Sequence, residues 1–198
     1  MKTIDFPPLR RKLDDAITYA DFDLARQLAR EGLSGAQNQE LLGEIMYFKA
    51  QAAIIDEHYD EAVNFLNRAI EFNANDGAAY NDRALCTIEL GGEEAEALAD
   101  FDKGIEVESD YASVYHNKGW YLNKLGKHLD ALPYFEKTLA LEPDRAVTYE
   151  NLADTYLNLG KKQKAIAAFR KALQCLPPFN VAIKEQIEGK IKTAMEKS

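Results

Sequence analysis

Side chains recur along this chain at a fixed spacing, and that recurrence limits the available folds more than any other feature of its 198 residues. Tyr80, Tyr115 and Tyr149 lie 35 and 34 residues apart. Ala97, Ala131 and Ala165 recur every 34 residues, as do Phe101, Phe135 and Phe169, and Gly126 and Gly160. Upstream, Met46, Ala50, Tyr59, Ala62, Leu66 and Ala69 occupy matching slots, and a weaker copy with Phe22, Ala25 and Ala29 begins near Leu9. A period in this range marks units that cannot bury their apolar faces alone and are stabilised by stacking on copies of themselves.

Each unit reads as two amphipathic runs of roughly 14 residues around a turn. Gly126 and Gly160 fall where a helix ends and a left-handed residue is needed. Small residues at Ala84, Gly119 and Ala153 let paired helices approach, with Ala97, Ala131 and Ala165 serving the same purpose on the second helix. Phe101, Phe135 and Phe169 fill the space between units. The pattern predicts helices over 8–20, 22–32, 38–56, 59–73, 77–90, 93–108, 112–125, 128–141, 146–159, 162–175 and 180–196. The last gathers Val181, Ile183, Ile187, Ile191 and Met195 on one face, as expected of a helix that caps a stack. One extra residue near Gly91-Gly92 is expected to lengthen a turn. Pro133 is expected early in its helix, where a missing donor costs least.

These positions resemble the tetratricopeptide repeat family. Tyr149, Leu152, Ala153, Tyr156, Gly160, Ala165, Phe169, Ala172 and Pro177 fit its motif, as do Tyr115, Gly119, Leu122, Gly126, Ala131, Phe135 and Pro143. The copy starting at Tyr80 departs from it at Thr87 and Ser109. The resemblance implies an all-α fold, a right-handed α-α superhelix of antiparallel helix pairs closed by a C-terminal capping helix. One solenoid domain is expected over 1–198, with repeats near 9–37, 43–76, 77–111, 112–145 and 146–179 and the cap over 180–198.

Composition narrows the function. The net charge is −9, without the basic stripe that nucleic-acid binding needs. Residues 51–110 carry 16 acids against 3 bases, whereas 111–198 carry 9 acids against 14 bases. That asymmetry reads either as solvated helix faces or as a bipolar surface that steers a ligand or joins copies. No run is long and apolar enough to span a bilayer, so no membrane association is expected. Cys86 and Cys175 are 89 residues apart and form no ligand pair, which favours a reduced, cytoplasmic setting. His58, His116 and His128 lack metal-ligand spacing, and no phosphate loop or nucleophile elbow is present. No catalytic residue, metal or cofactor is expected, and the chain does not read as an enzyme.

The resemblance also implies a ligand groove along the first helix of each pair. Its expected lining is Tyr47, Gln51, Asn81, Leu85, His116, Asn117, Trp120, Lys124, Glu150, Asn151 and Asp154, with Arg10, Asp14, Glu44, Ile54, Ile88, Glu89 and Asn158 nearby. Tyr47, Leu85 and Trp120 would anchor apolar groups, although Trp120 satisfies its helical position equally well if packed between repeats. Asn81, Asn117 and Asn151 would pair with a peptide backbone, or are simply a frequent residue at that slot. The lysines and arginine with which some family members clamp a chaperone's C-terminal carboxylate are missing. The expectation is a non-catalytic scaffold that binds a peptide or helix of another protein, apolar with neutral or basic character. The alternative is a structural protein that assembles into homo-oligomers through charged or apolar ends.

Overall fold

The computed structural model describes residues 4–177 and 180–196. Among them are eleven α-helices and no strand: α1 Phe6–Thr18, α2 Phe22–Asn38, α3 Leu42–Ile55, α4 Tyr59–Phe72, α5 Gly77–Glu89, α6 Glu94–Val107, α7 Ala112–Lys124, α8 His128–Leu141, α9 Ala146–Asn158, α10 Lys162–Cys175 and α11 Val181–Glu196. They fall into two compact units, Met1–Ser109 and Asp110–Ser198. In the first, each helix from α1 to α6 packs on the next. In the second the same holds from α7 to α11, and α7 also touches α9. The last two residues of repeat 146–179 and of cap 180–198 lie outside the described residues.

The turn inside each pair has one geometry. A residue with positive φ follows the first helix: Ala20 (58°), Glu57 (60°), Gly91 (69°), Gly126 (77°) and Gly160 (70°). Three of the five are glycine, which takes this conformation without a Cβ penalty. The extra residue near Gly91 lies in the turn between α5 and α6, which spans 90–93 where the turn between α7 and α8 spans 125–127. Among the described residues, side-chain caps occur at two helix starts: Asp21 accepts from the Leu24 amide and Asp76 from the Ala79 amide, each at 3.1 Å.

Helix α2 continues to Asn38, beyond the expected end at residue 32, and α3 starts at Leu42 rather than 38. Gly32, Ser34 and Gly35 look like a break, but Gly32 and Gly35 are contact glycines. A Cβ at Gly32 would strike the Phe48 ring, and one at Gly35 would strike Ile4. The chain turns instead at Glu40, with φ of 56°. Pro133 is the sixth residue of α8 rather than part of its first turn, so the Leu129 carbonyl loses its helical partner. Leu129 is exposed, which lets water compensate.

Phe101, Phe135 and Phe169 are completely buried, as are Ala97, Ala131 and Ala165. Gly119 lets the Phe135 ring approach to about van der Waals contact, since a Cβ there would lie 3.0 Å from it. Each such ring removes apolar surface that would cost roughly 2–3 kcal/mol in water. Ile187 and Ala194 are the buried residues of α11, and Ile187 packs with Ala153, Ala165, Ala168, Phe169 and Ala172. Ile183 and Ile191 pack there with it, but Val181 and Met195, expected on the same face, lie at the two ends of the helix and are more than half exposed. The cap therefore holds by the middle of its apolar face rather than by its whole length.

Candidate functional site

In the first unit, the face made by α1, α3 and α5 is organised by Arg10. Its guanidinium donates to both Asp76 carboxylate oxygens at 2.9 Å and from Nε to Glu44 at 3.1 Å. It also stacks 3.6 Å above the Tyr47 ring. A planar five-donor fork suits two carboxylates and an aromatic face together. Burial alone would make Arg10 easier to deprotonate, but Asp76, Tyr47 and Glu44 hold it firmly protonated. At Glu44 burial outweighs the nearby cation, so its carboxyl stays above the ordinary range.

One turn along, Asp82 accepts from Gln51 Nε2 at 2.6 Å and Asn81 Nδ2 at 2.9 Å. Burial, then the neighbouring Asp14 charge, push Asp82 up to about 7 against the pull of those two amides. Of the sequence-derived groove residues in this unit, Tyr47, Gln51 and Asn81 are buried and Leu85 is half-buried. Tyr47 gives its ring face to Arg10, and Gln51 and Asn81 each spend a donor on Asp82.

The second unit solves the same problem with neutral groups. Thr148 Oγ1 pairs with His116 Nδ1 at 2.9 Å, and Asn151 Nδ2 with His116 Nε2 at 3.3 Å. Burial, aided by the Arg145 charge, lowers His116 to about 3, so the ring is neutral. Asn158 donates to Asn123 Oδ1 at 3.3 Å, and that oxygen lies 2.6 Å from His128 Nδ1. Asn117, Trp120, Glu150, Asn151 and Asp154 are half-buried and Lys124 is exposed. The Lys124 ammonium sits 5.1 Å from the Trp120 ring centre, a cation–π distance that holds the indole against its helix.

Helix α11 reaches this face as well. Lys190 Nζ donates to Glu150 at 2.8 Å and Asp154 at 2.7 Å, and Gln186 donates to Glu150 at 3.3 Å. Burial would lower Lys190, but Asp154 and Glu150 hold it above its usual value. His116 meets Asn151 35 residues on, Asn123 meets Asn158 at the same distance, and Glu150 and Asp154 meet Gln186 and Lys190 after 36. Helix α11 therefore stands on α9 much as α9 stands on α7. Lys190 thus compensates the carboxylates Glu150 and Asp154 on the face of the second unit.

Sequence reasoning placed Arg10 and Glu44 on this face but missed their partner Asp76, and missed Lys190 and Gln186 in the cap. The near-35 spacing between Asp154 and Lys190 was the available signal. Among the described residues no group of three or more His, Cys, Asp or Glu side chains could hold a metal, and no helix is long and apolar enough to cross a membrane. Burial pushes the Cys86 thiol up to about 12, which keeps it protonated.

Comparison with known proteins bears on the repeat. Residues 110–177 and 43–76 match sequence profiles described as tetratricopeptide repeat. The chain is 39% identical over 64 residues to Hsp70-Hsp90 organizing protein 3 of Arabidopsis thaliana, covering 32% of this chain and 11% of that protein. It is 37% identical over 71 residues to an SGT1 homolog of Oryza sativa subsp. japonica, covering 36% and 19%. It thus spans about a tenth to a fifth of these relatives. Among solved structures, the tetratricopeptide repeat protein TTC0263 of Thermus thermophilus superposes with a TM-score of 0.71 at 19% identity, over 93% of this chain and 96% of that one. The first such domain of Spaghetti (RPAP3), solved with the HSP90 peptide SRMEEVD, superposes at 0.58 with 20% identity, over 60% of this chain and 96% of that one. With these neighbours the fold class is the α-α superhelical solenoid, and the chain belongs to the tetratricopeptide repeat family.

Proposed function

We propose that this chain is a non-catalytic interaction module that binds a segment of another protein on the first-helix faces of its two units. The observation that carries the reading is Trp120. It is a large aromatic left partly exposed on a first helix, three residues from the half-buried amide Asn117, with the half-buried Asn151 on the next first helix. An indole held in place by Lys124 loses little freedom when a partner covers it, and amides can serve both the donors and acceptors of an extended backbone. Leu85 is the corresponding partly exposed apolar residue in the first unit.

Membership of the repeat family and the likeness to two co-chaperone relatives and a domain carrying an HSP90 peptide support a protein partner. That peptide, SRMEEVD, contains three acids. On this face Arg10 is committed to Glu44 and Asp76, and Lys190 to Glu150 and Asp154, which leaves Lys124, beside Trp120, to meet those acids. A segment of apolar side chains with neutral or basic character fits better. The two free thiols, Cys86 and Cys175, suit a reduced, cytoplasmic setting, and partners from that compartment are the natural class to screen.

The test is affinity capture from the source cell's lysate with wild type and with a Leu85→Ala/Trp120→Ala variant, helicity being checked by circular dichroism. Loss of one specific partner from a folded variant supports the reading, and equal recovery of all partners overturns it. Sedimentation at low and high salt tests the alternative of self-assembly through the charge asymmetry, because ionic contacts between copies weaken on screening.

A further inference from the structure

Away from Trp120 and Leu85, the first unit has a cleft of about 460 Å³ where α3 begins and α4 ends. Leu41, Leu42, Gly43 and Phe72 form its apolar part, and Glu40, Glu44 and Asp76 line it as well. Among the described residues nine large apolar side chains stand exposed, and three of them meet here: Leu41 at 42%, Leu42 at 51% and Phe72 at 49%. The fold produces this convergence. The start of α3 lies over the end of α4, where a Cβ on Gly43 would be in ordinary contact with Phe72 Cβ at 3.4 Å. Glu40, with its positive φ, turns the chain so that Leu41 and Leu42 follow on the same side as the cleft. Single exposed apolar residues are ordinary, but several around one concavity with a polar rim mark an interaction surface.

The surrounding charge selects the occupant. Between residues 31 and 82 ten acids stand against two bases, Lys49 and Arg68. The nearest cation, Arg10, is already bound by Glu44 and Asp76. We propose that this cleft is a second docking site, which takes an aliphatic or aromatic side chain from a basic amphipathic segment of another protein. The partner's lysines or arginines would lie along the rim by Glu40 and the adjacent Glu71. Apolar insertion gives the site its affinity, and the acidic field gives its rate and its choice of partner. The proposal does not depend on the face that carries Trp120.

The probe is a labelled 18-residue helical peptide of leucine and lysine, read by fluorescence anisotropy against the whole chain. Micromolar binding that weakens with salt is expected. Leu42→Ser/Phe72→Ser changes exposed residues, leaves the charge unaltered, and should raise Kd about tenfold or more. Leu85→Ala/Trp120→Ala should leave Kd within about twofold, which separates this site from the other face. A peptide with glutamate in place of lysine should not bind. The proposal is overturned if wild type does not bind, if Leu42→Ser/Phe72→Ser binds as wild type, or if the glutamate peptide binds equally. It is also overturned if wild type alone sediments as an oligomer that this double variant dissociates, since the occupant is then a second copy.

Discussion

The two units build equivalent faces from opposite chemistry. In Met1–Ser109 the first helices are tied by a guanidinium held between two carboxylates and an aromatic ring, with an elevated carboxyl beside it. In Asp110–Ser198 they are tied by an imidazole, a threonine and three asparagines, and a cation, Lys190, comes from the cap. A repeat fixes helix spacing through buried alanines and phenylalanines. The positions facing the next first helix need only be satisfied, by charge or by amide. An ionic solution costs desolvation and fails badly when one member is lost, whereas an amide solution is less sensitive to any single change.

The largest expected effect follows from that difference. Arg10→Ala strands Glu44 and the buried Asp76 and uncovers Tyr47, and should destabilise the first unit by about 3 kcal/mol in urea denaturation. Lys190→Ala removes a cation that is 30% exposed from carboxylates that retain some contact with water. It should cost about 1 kcal/mol or less and shrink further in salt. Equal costs for the two substitutions would break the comparison.

Acid should act on the two units in opposite directions. Asp82 has a pKa of about 7 in the folded chain against an ordinary value near 3.8, so stability is greatest below 3.8 and is lost as pH rises toward 7. His116 is lowered to about 3 from 6.5, so its contribution is full above 6.5 and is lost as pH falls toward 3. Between about pH 7 and about pH 4.5 the first unit should gain and the second lose on the order of 2 kcal/mol. Hydrogen exchange corrected for intrinsic rates, followed separately for residues 43–107 and 112–175, reads this out. Asp82→Asn should abolish the gain and His116→Gln the loss. Parallel shifts in both units would sink this assignment.

The sequence made the period, the helix pairs and the cap legible, because the alanines, phenylalanines and turn glycines recur at fixed offsets. What it hid were contacts whose meaning depends on a distant partner. Gly32 and Gly35 resemble stop signals until Phe48 and Ile4 are seen to occupy the missing Cβ positions. Arg10 and Asp76 are 66 residues apart, and no local pattern joins them. Exposure was hidden too. Helical spacing puts Tyr47 and Trp120, one turn apart in the repeat, on the same expected face, yet one is covered by a guanidinium and the other stays half-open.

The smallest expected effect lies in the turns. All five connections within helix pairs use a positive φ, but Ala20 and Glu57 in the first unit hold it without glycine, as Gly126 and Gly160 do with glycine in the second. An L side chain in this region is strained by about 1 kcal/mol. Glu57→Gly relieves that strain but frees the unfolded chain, so the net gain should be about 0.5 kcal/mol. Gly126→Ala introduces the strain with no steric clash, since nothing lies within 4 Å of the added Cβ. It should cost about 1 kcal/mol. Because the geometry is shared, the two changes should have opposite signs in the same thermal or urea melt. If Glu57→Gly destabilised the chain as much as Gly126→Ala, the glutamate side chain would be contributing more than backbone geometry allows, and the turns of the two units would no longer be equivalent.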